Sequence, residues 1–194
     1  MNQKTLKTLL TVFSVILVLA LILLRGGRES EPGVLVEEGP YHRLYADGEL
    51  YTLRILDGEG KTLREDGPMT KAPVVAEAAP GLWSVSSSAG PDLTLRWTYF
   101  YSPARGQISE IFYGVLDARG DLVILAGNRA LTVRGIFAEE PWWDLSDFSQ
   151  PLADTATTPF RSAAFTDDGK TLEVTYLSGE DFHQVTETVP LPED

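Results

Sequence analysis

One twelve-residue stretch, FAEEPWWDLSDF at residues 137–148, has the residue types that carbohydrate chemistry uses. Glycosidases need one carboxyl group to protonate the leaving group and a second to attack or to activate water. Tryptophan supplies a flat face against which a sugar ring can stack. The candidate residues are Trp142, Trp143, Glu139, Glu140 and Asp144. Clusters of this kind arise by chance in an acidic protein, so we interpret them as a candidate binding surface and predict no catalytic residue.

The same stretch has a simpler interpretation, in which its aromatic residues hold a long loop against the rest of the domain. Pro141 is expected to end the preceding strand, and adjacent residues of an extended chain point to opposite sides. Trp142, Trp143 or both would then pack on a β-rich core, with help from Leu145 and Phe148. We favour this interpretation over a glycan- or protein-binding surface.

Little else in the sequence predicts catalysis or cofactor binding. No Gly-x-Ser-x-Gly motif occurs, cysteine is absent, and the only histidines are His42 and His183. Two isolated histidines without cysteine do not make a usual structural zinc site, and no glycine-rich phosphate-binding loop is present. Asp167, Asp168 and Gly169 are explained as a turn rather than as a calcium site. We therefore expect no cofactor and no metal.

The amino-terminal segment predicts a membrane anchor. Residues 8–24, TLLTVFSVILVLALILL, are uncharged, and a helix of this length spans about 26 Å, close to the thickness of a bilayer core. The run ends at Arg25 without a following small-x-small cleavage site, which favours an uncleaved anchor over a cleaved signal peptide. Two basic residues lie on each side of the span, and the short leader with its α-amine favours a cytoplasmic amino terminus. The remaining domain is then predicted to lie outside the cytoplasm.

Charge separates the segments. Twelve basic and all 28 acidic residues follow Arg28, which gives the part of the chain after Arg28 a net charge of −16. Such a field repels nucleic acid, so we predict no nucleic-acid partner. The predicted partners are the membrane, through the amino-terminal helix, and an unidentified protein or glycan.

The rest of the chain predicts an all-β domain at residues 41–192, after an acidic linker at residues 29–40. Residues 93–101, LTLRWTYFY, and 170–178, KTLEVTYLS, alternate with a period of two, which is typical of half-buried strands. Turn residues follow every eight to twelve positions, as at Asp47-Gly48. No later segment has a sustained helical period. About ten short strands in an antiparallel meander are expected.

One segment resembles a known repeat. SAAFTDDGKTLEVTYLSG at residues 162–179 is similar to the first hairpin of a TolB-like or WD-type propeller blade. The matching residues are Phe165, Asp167, Asp168, Gly169, Lys170, Leu172 and Val174. The resemblance implies a propeller, but the length of the domain allows only three or four blades. We therefore expect a small or incomplete propeller-like arrangement, with a sandwich or barrel as the alternative.

The resemblance assigns no functional residue, because propellers serve many functions. The sequence predicts a membrane-anchored, extracytoplasmic binding or scaffold module that does not catalyse. The alternative is a cell-surface carbohydrate-binding or glycan-acting protein that uses residues 137–148.

Overall fold

The computed structural model describes residues 31–88 and 95–192, and these residues form strands and connecting loops. No helix in these two ranges is long and apolar enough to cross a membrane. The predicted span at residues 8–24 lies outside the described residues. The prediction of an all-β, antiparallel domain is confirmed.

The described residues contain sixteen strands, more than the roughly ten expected, and these form four sheets that follow one another along the chain. Sheet 1 contains β1 (Val34–Gly39), β2 (His42–Asp47), β3 (Leu50–Leu56) and β4 (Thr62–Met69). Sheet 2 contains β5 (Val74–Ala79), β6 (Leu82–Ser88), β7 (Arg96–Ser102), β8 (Gln107–Ile108) and β9 (Phe112–Tyr113). Sheet 3 contains β10 (Val115–Arg119), β11 (Leu122–Ala126), β12 (Leu131–Gly135) and β13 (Trp142–Leu145). Sheet 4 contains β14 (Phe160–Phe165), β15 (Thr171–Ser178) and β16 (His183–Pro190).

Neighbouring strands in each sheet are mostly neighbours in the chain; the exception is β9, which pairs with β7. Short turns make this possible. In the β2–β3 hairpin, Asp47 pairs with Leu50, and Gly48 takes a positive φ of 62° that most other residues avoid. The described strands form four separate sheets and not one closed sheet, so the barrel alternative is wrong for these residues.

Three apolar cores lie between successive sheets. Sheets 1 and 2 meet at Leu44, Leu53, Ile55, Val85, Tyr99 and Tyr101. Sheets 2 and 3 meet at Leu82, Phe100, Phe112, Ala118, Val123 and Ile136. Sheets 3 and 4 meet at Ile124, Ala126, Leu131, Val133, Phe160, Ala163, Leu172, Val174, Tyr176 and Val189. Sheets 2 and 3 therefore each bury apolar side chains on both faces.

This arrangement corrects the expectation for β7. Its alternation predicts a strand with one solvated face, but Thr98 and Phe100 on the second face are as well buried as Tyr99 and Tyr101 on the first. Sheet 2 lies between two other sheets, so both faces of its central strand are buried from Thr98 to Ser102. Of the residues assigned to this strand, Leu93 and Thr94 lie outside the described residues.

Two segments predicted to lack regular structure contain short strands. The acidic linker at residues 29–40 includes β1, which pairs with β2. The long loop at residues 137–148 includes β13, which pairs with β12. Both strands lie at the end of the strand order of their sheet. A strand at a sheet edge tolerates proline and polar residues, which weakens its signal in the sequence.

Candidate functional site

The Trp142–Trp143 pair lies on β13, and the two side chains lie on opposite faces of sheet 3. In the register of β12 and β13, Trp142 pairs with Arg134 and Trp143 pairs with Val133. Val133 belongs to the core between sheets 3 and 4, and Trp143 packs against that core. Trp142 keeps 54% of its surface exposed. One indole is therefore structural and the other is available for contact.

The exposed indole is held in place by polar neighbours. The Arg134 guanidinium carbon lies 4.5 Å from the centroid of the Trp142 ring, which is within the range of a cation–π contact. The indole Nε1 donates a hydrogen bond to Asp144 Oδ1 at 3.3 Å, and the Thr132 hydroxyl donates to the same oxygen at 2.7 Å. Asp144 lies two residues after Trp142, on the same face of the strand.

Arg134 connects the indole to sheet 2. Its guanidinium carbon lies 5.3 Å from the Phe112 ring centroid, and its Nη2 contacts Glu110 Oε1 at 2.6 Å. The Arg134 side chain is only 14% exposed, and its buried Nε has no hydrogen-bond partner among the described residues. A guanidinium held between two aromatic rings and one carboxylate has little freedom to move, so Trp142 faces a fixed surface.

A cavity of about 290 Å³ lies beside this cluster, with walls that include Glu110, Arg134 and Glu139. The loop between β12 and β13 turns back on itself. The Gly135 amide closes it by donating a hydrogen bond to the Pro141 carbonyl oxygen at 3.0 Å. A Cβ on Gly135 would lie 2.7 Å from the Ala138 carbonyl oxygen, so this close approach requires glycine.

The structure brings only some of the predicted residues together. Trp142 and Asp144 are in contact, and Glu139 lines the cavity. Trp143 lies on the other face, and Glu140 is not one of the residues that line the cavity. Arg134, Glu110 and Phe112 belong to the cluster but were not predicted. Their link to Trp142 depends on strand register and on the packing of sheet 3 on sheet 2, neither of which is visible in residue types.

The loop that follows β13 is held to sheet 4. Phe148 packs on Phe160 and Tyr176, with ring centroids 5.4 and 5.2 Å apart. The Ser149 amide donates to both oxygens of Glu187, and the Tyr176 hydroxyl donates to Glu187 Oε1 at 2.8 Å. Partial burial acts to raise the pKa of Glu187, but these hydrogen bonds together outweigh it, and the pKa lies below its ordinary value.

His183 also contacts the loop that follows β13. Its Nδ1 contacts Asp181 Oδ1 at 2.8 Å, and its Nε2 contacts Gln150 Oε1 at 2.7 Å. The contact with His183 is the main reason why the pKa of Asp181 is lowered. Ser178 lies opposite His183 in the β15–β16 register, but its hydroxyl donates to the Pro151 carbonyl at 2.7 Å. The histidine nitrogen that a nucleophilic serine would need is therefore engaged by Gln150.

The Asp168 carboxylate accepts hydrogen bonds within the turn between β14 and β15. Its Oδ1 accepts hydrogen bonds from the Thr166 hydroxyl at 2.6 Å and from the Lys170 amide at 2.8 Å. The hydrogen bond from Thr166 is the largest cause of the lowered pKa of this carboxyl group. Within residues 31–88 and 95–192, no group of three or more histidine or acidic side chains is placed to hold a metal ion.

A search of protein families finds no model that matches the chain, and a search of curated proteins finds no match to its sequence.

Proposed function

We propose that the chain is a single-pass membrane protein whose β-rich domain lies outside the cytoplasm and acts as a non-catalytic protein-binding or scaffold module. One observation carries the binding function: Trp142 is half exposed while Arg134, Thr132 and Asp144 fix its surroundings. A rigid aromatic side chain loses little conformational freedom on binding, and such residues often dominate interface energies.

The charge of the domain supports a partner with a basic surface. The chain after Arg28 has a net charge of −16, and Asp144 lies beside the indole. Complementary charge accelerates association and discriminates against acidic competitors. A partner that presents lysine or arginine could also stack a cation on the exposed indole.

The fold supports a scaffold role. We infer that the four sheets are arranged as the blades of a small, incomplete propeller. Successive antiparallel sheets pack face to face through three cores, and the first strand of sheet 3 lies beside the first strands of sheets 2 and 4. Blades of a propeller follow one another in this way around an axis.

Site-specific photocrosslinking in native membranes tests the binding surface. A photoreactive phenylalanine analogue at Trp142 should give one defined protein adduct. The same analogue at Phe182, which is 50% exposed on the β15–β16 turn, is the matched control. The proposal fails if position 142 gives no adduct, or if both positions give the same adducts.

A glycan ligand is the second candidate, because the indole is open next to the Asp144 carboxylate. Stacking of a sugar on Trp142 would change tryptophan fluorescence. We expect a response to at least one member of a polysaccharide panel that is lost in Trp142→Ala. If no member changes the fluorescence, the glycan alternative is wrong.

The anchor needs its own test. Alkali extraction of isolated membranes should leave the full-length chain in the membrane, because residues 8–24 form an apolar run long enough to span it. Recovery of a soluble form that begins near Ala20 or Gly27 would instead identify a cleaved signal peptide.

A further inference from the structure

A cavity at one end of sheet 2 combines two cations with serine hydroxyl groups. Its volume is about 370 Å³, and its walls include Lys71, Arg96, Ser86, Ser87 and Ser88. This volume falls within the range of small-molecule sites in proteins. None of these residues lines the cavity near Trp142.

The register of β6 and β7 places the groups close together. Arg96 pairs with Ser88, and Thr98 pairs with Ser86, so these four residues lie on one face of the sheet. The Lys71 ammonium donates to the Ser88 carbonyl oxygen at 3.3 Å. The Lys71 ammonium and the backbone of Arg96 therefore both lie next to Ser88.

Lys71 and Arg96 differ from most other cations of the domain in their ion pairing. Among the described residues, neither forms an ion pair with a carboxylate, whereas five other arginines do. A chain with 28 acidic residues has ample carboxylates for pairing. Two neighbouring cations repel each other, and a bound anion would remove this repulsion.

We propose that this cavity binds an oxyanion carried by a hydroxylated molecule, such as a phosphorylated or uronic sugar. Arg96 can donate two parallel hydrogen bonds to the anion, and Lys71 and the serine hydroxyls can donate the others. Within the described part of the chain, the hydroxyl of Ser86, which lies on the same face as Arg96, has no hydrogen-bond partner.

A second cavity is the reason for proposing that the molecule carrying the oxyanion also has hydroxyl groups. It has a volume of about 220 Å³, shares Ser86 and Arg96 with the first, and continues toward Ser84, Thr98 and Asp117. Its hydroxyl groups can donate or accept hydrogen bonds, and the Asp117 carboxylate can only accept them when ionised. Sugar hydroxyls suit this lining, whereas a second anionic group would be repelled by Asp117.

Calorimetric titration of the full chain in an uncharged detergent tests the site. The probes are inorganic phosphate, glucose 6-phosphate, glucuronate and glucose. We expect glucose 6-phosphate or glucuronate to bind, with the tighter of the two identifying the anionic group, and glucose not to bind. Arg96→Gln and Lys71→Gln should each weaken binding by about tenfold or more, because each removes a charge-assisted hydrogen bond.

Arg129→Gln is the matched control, because Arg129 is exposed on the β11–β12 turn and its substitution changes the net charge by the same amount. It should leave the affinity unchanged. The proposal is overturned if no anion binds the wild-type chain, or if all three variants bind equally well. Thermal unfolding of each variant shows that a lost affinity does not reflect a lost fold. Trp142 takes no part in this site, so the result is independent of the proposed protein-binding surface.

Discussion

The two faces of β13 carry neighbouring tryptophans that have different roles. Trp143 faces sheet 4 and packs on an apolar core together with Leu145 and Phe148. Trp142 faces sheet 2 at the edge of the domain, where a guanidinium, a hydroxyl and a carboxylate surround it. The first face stabilises the fold, whereas the second presents a fixed aromatic group to solvent. One strand therefore links the stability of the domain to its proposed binding surface.

The largest effect should come from truncating the two tryptophans separately. Trp143→Ala removes a large side chain from the edge of a core and should lower the free energy of unfolding by about 2–3 kcal/mol. Trp142→Ala should lower it by less than about 1 kcal/mol, since much of that side chain is already in water. Thermal unfolding followed by circular dichroism measures both. Equal losses would show that the two faces do not differ in role.

The polar attachment of the loop after β13 should contribute less than the apolar core. Tyr176→Phe keeps the ring that packs on Phe148 and removes the hydroxyl that donates to Glu187 and accepts from the Gln150 amide. We expect a loss of about 1–2 kcal/mol in the free energy of unfolding, because two partners lose a hydrogen bond. Limited proteolysis should also cut the loop at residues 146–159 faster. If the cleavage rate does not change, these hydrogen bonds do not hold the loop.

The contact between Arg134 and Trp142 should have a small effect on stability and a clear effect on the indole. Arg134→Met keeps an unbranched stem and removes the cation, at a cost of about 0.5–1 kcal/mol. Acrylamide should then quench Trp142 fluorescence more strongly, because the ring is less well held. The chain contains three other tryptophans, so the Trp142 signal is taken as the difference between each variant and the same variant with Trp142→Phe. Arg129→Met serves as the control. Identical quenching in both variants would contradict the role of Arg134.

The smallest expected effect is on the stability of the folded chain at acid pH. The pKa of Glu187 in the folded chain lies below its ordinary value of 4.5. Its ionised form therefore stabilises the fold above that pH, and this stabilisation is lost as the pH falls through the lowered pKa. We expect Glu187→Gln to flatten the decrease in melting temperature between about pH 5 and pH 3. If the melting temperature falls equally with pH in the wild-type and Glu187→Gln chains, Glu187 makes no such contribution.

Two strands with the same sequence pattern show how far the sequence could predict the fold. The alternation in β15 correctly predicts that Leu172, Val174 and Tyr176 point inward, and all three are fully buried. The same alternation in β7 predicts one solvated face, yet Thr98 is 4% exposed and Phe100 is 1% exposed. The difference is the position of the sheet in the series: sheet 2 lies between two neighbours, and sheet 4 packs its apolar face on sheet 3. A local pattern does not contain this information.

The segment at residues 137–148 shows the same division between sequence and tertiary structure. The sequence alone determined that Trp142 and Trp143 point to opposite sides, because side chains alternate along any extended chain. It also supplied Asp144 on the same side as Trp142. Only the tertiary structure decided which indole is covered, because that depends on the pairing of β13 with β12 and on how closely each neighbouring sheet packs. Arg134 and Glu110 lie near Trp142 for the same reason. The residues next to them in the sequence do not indicate that an indole is nearby.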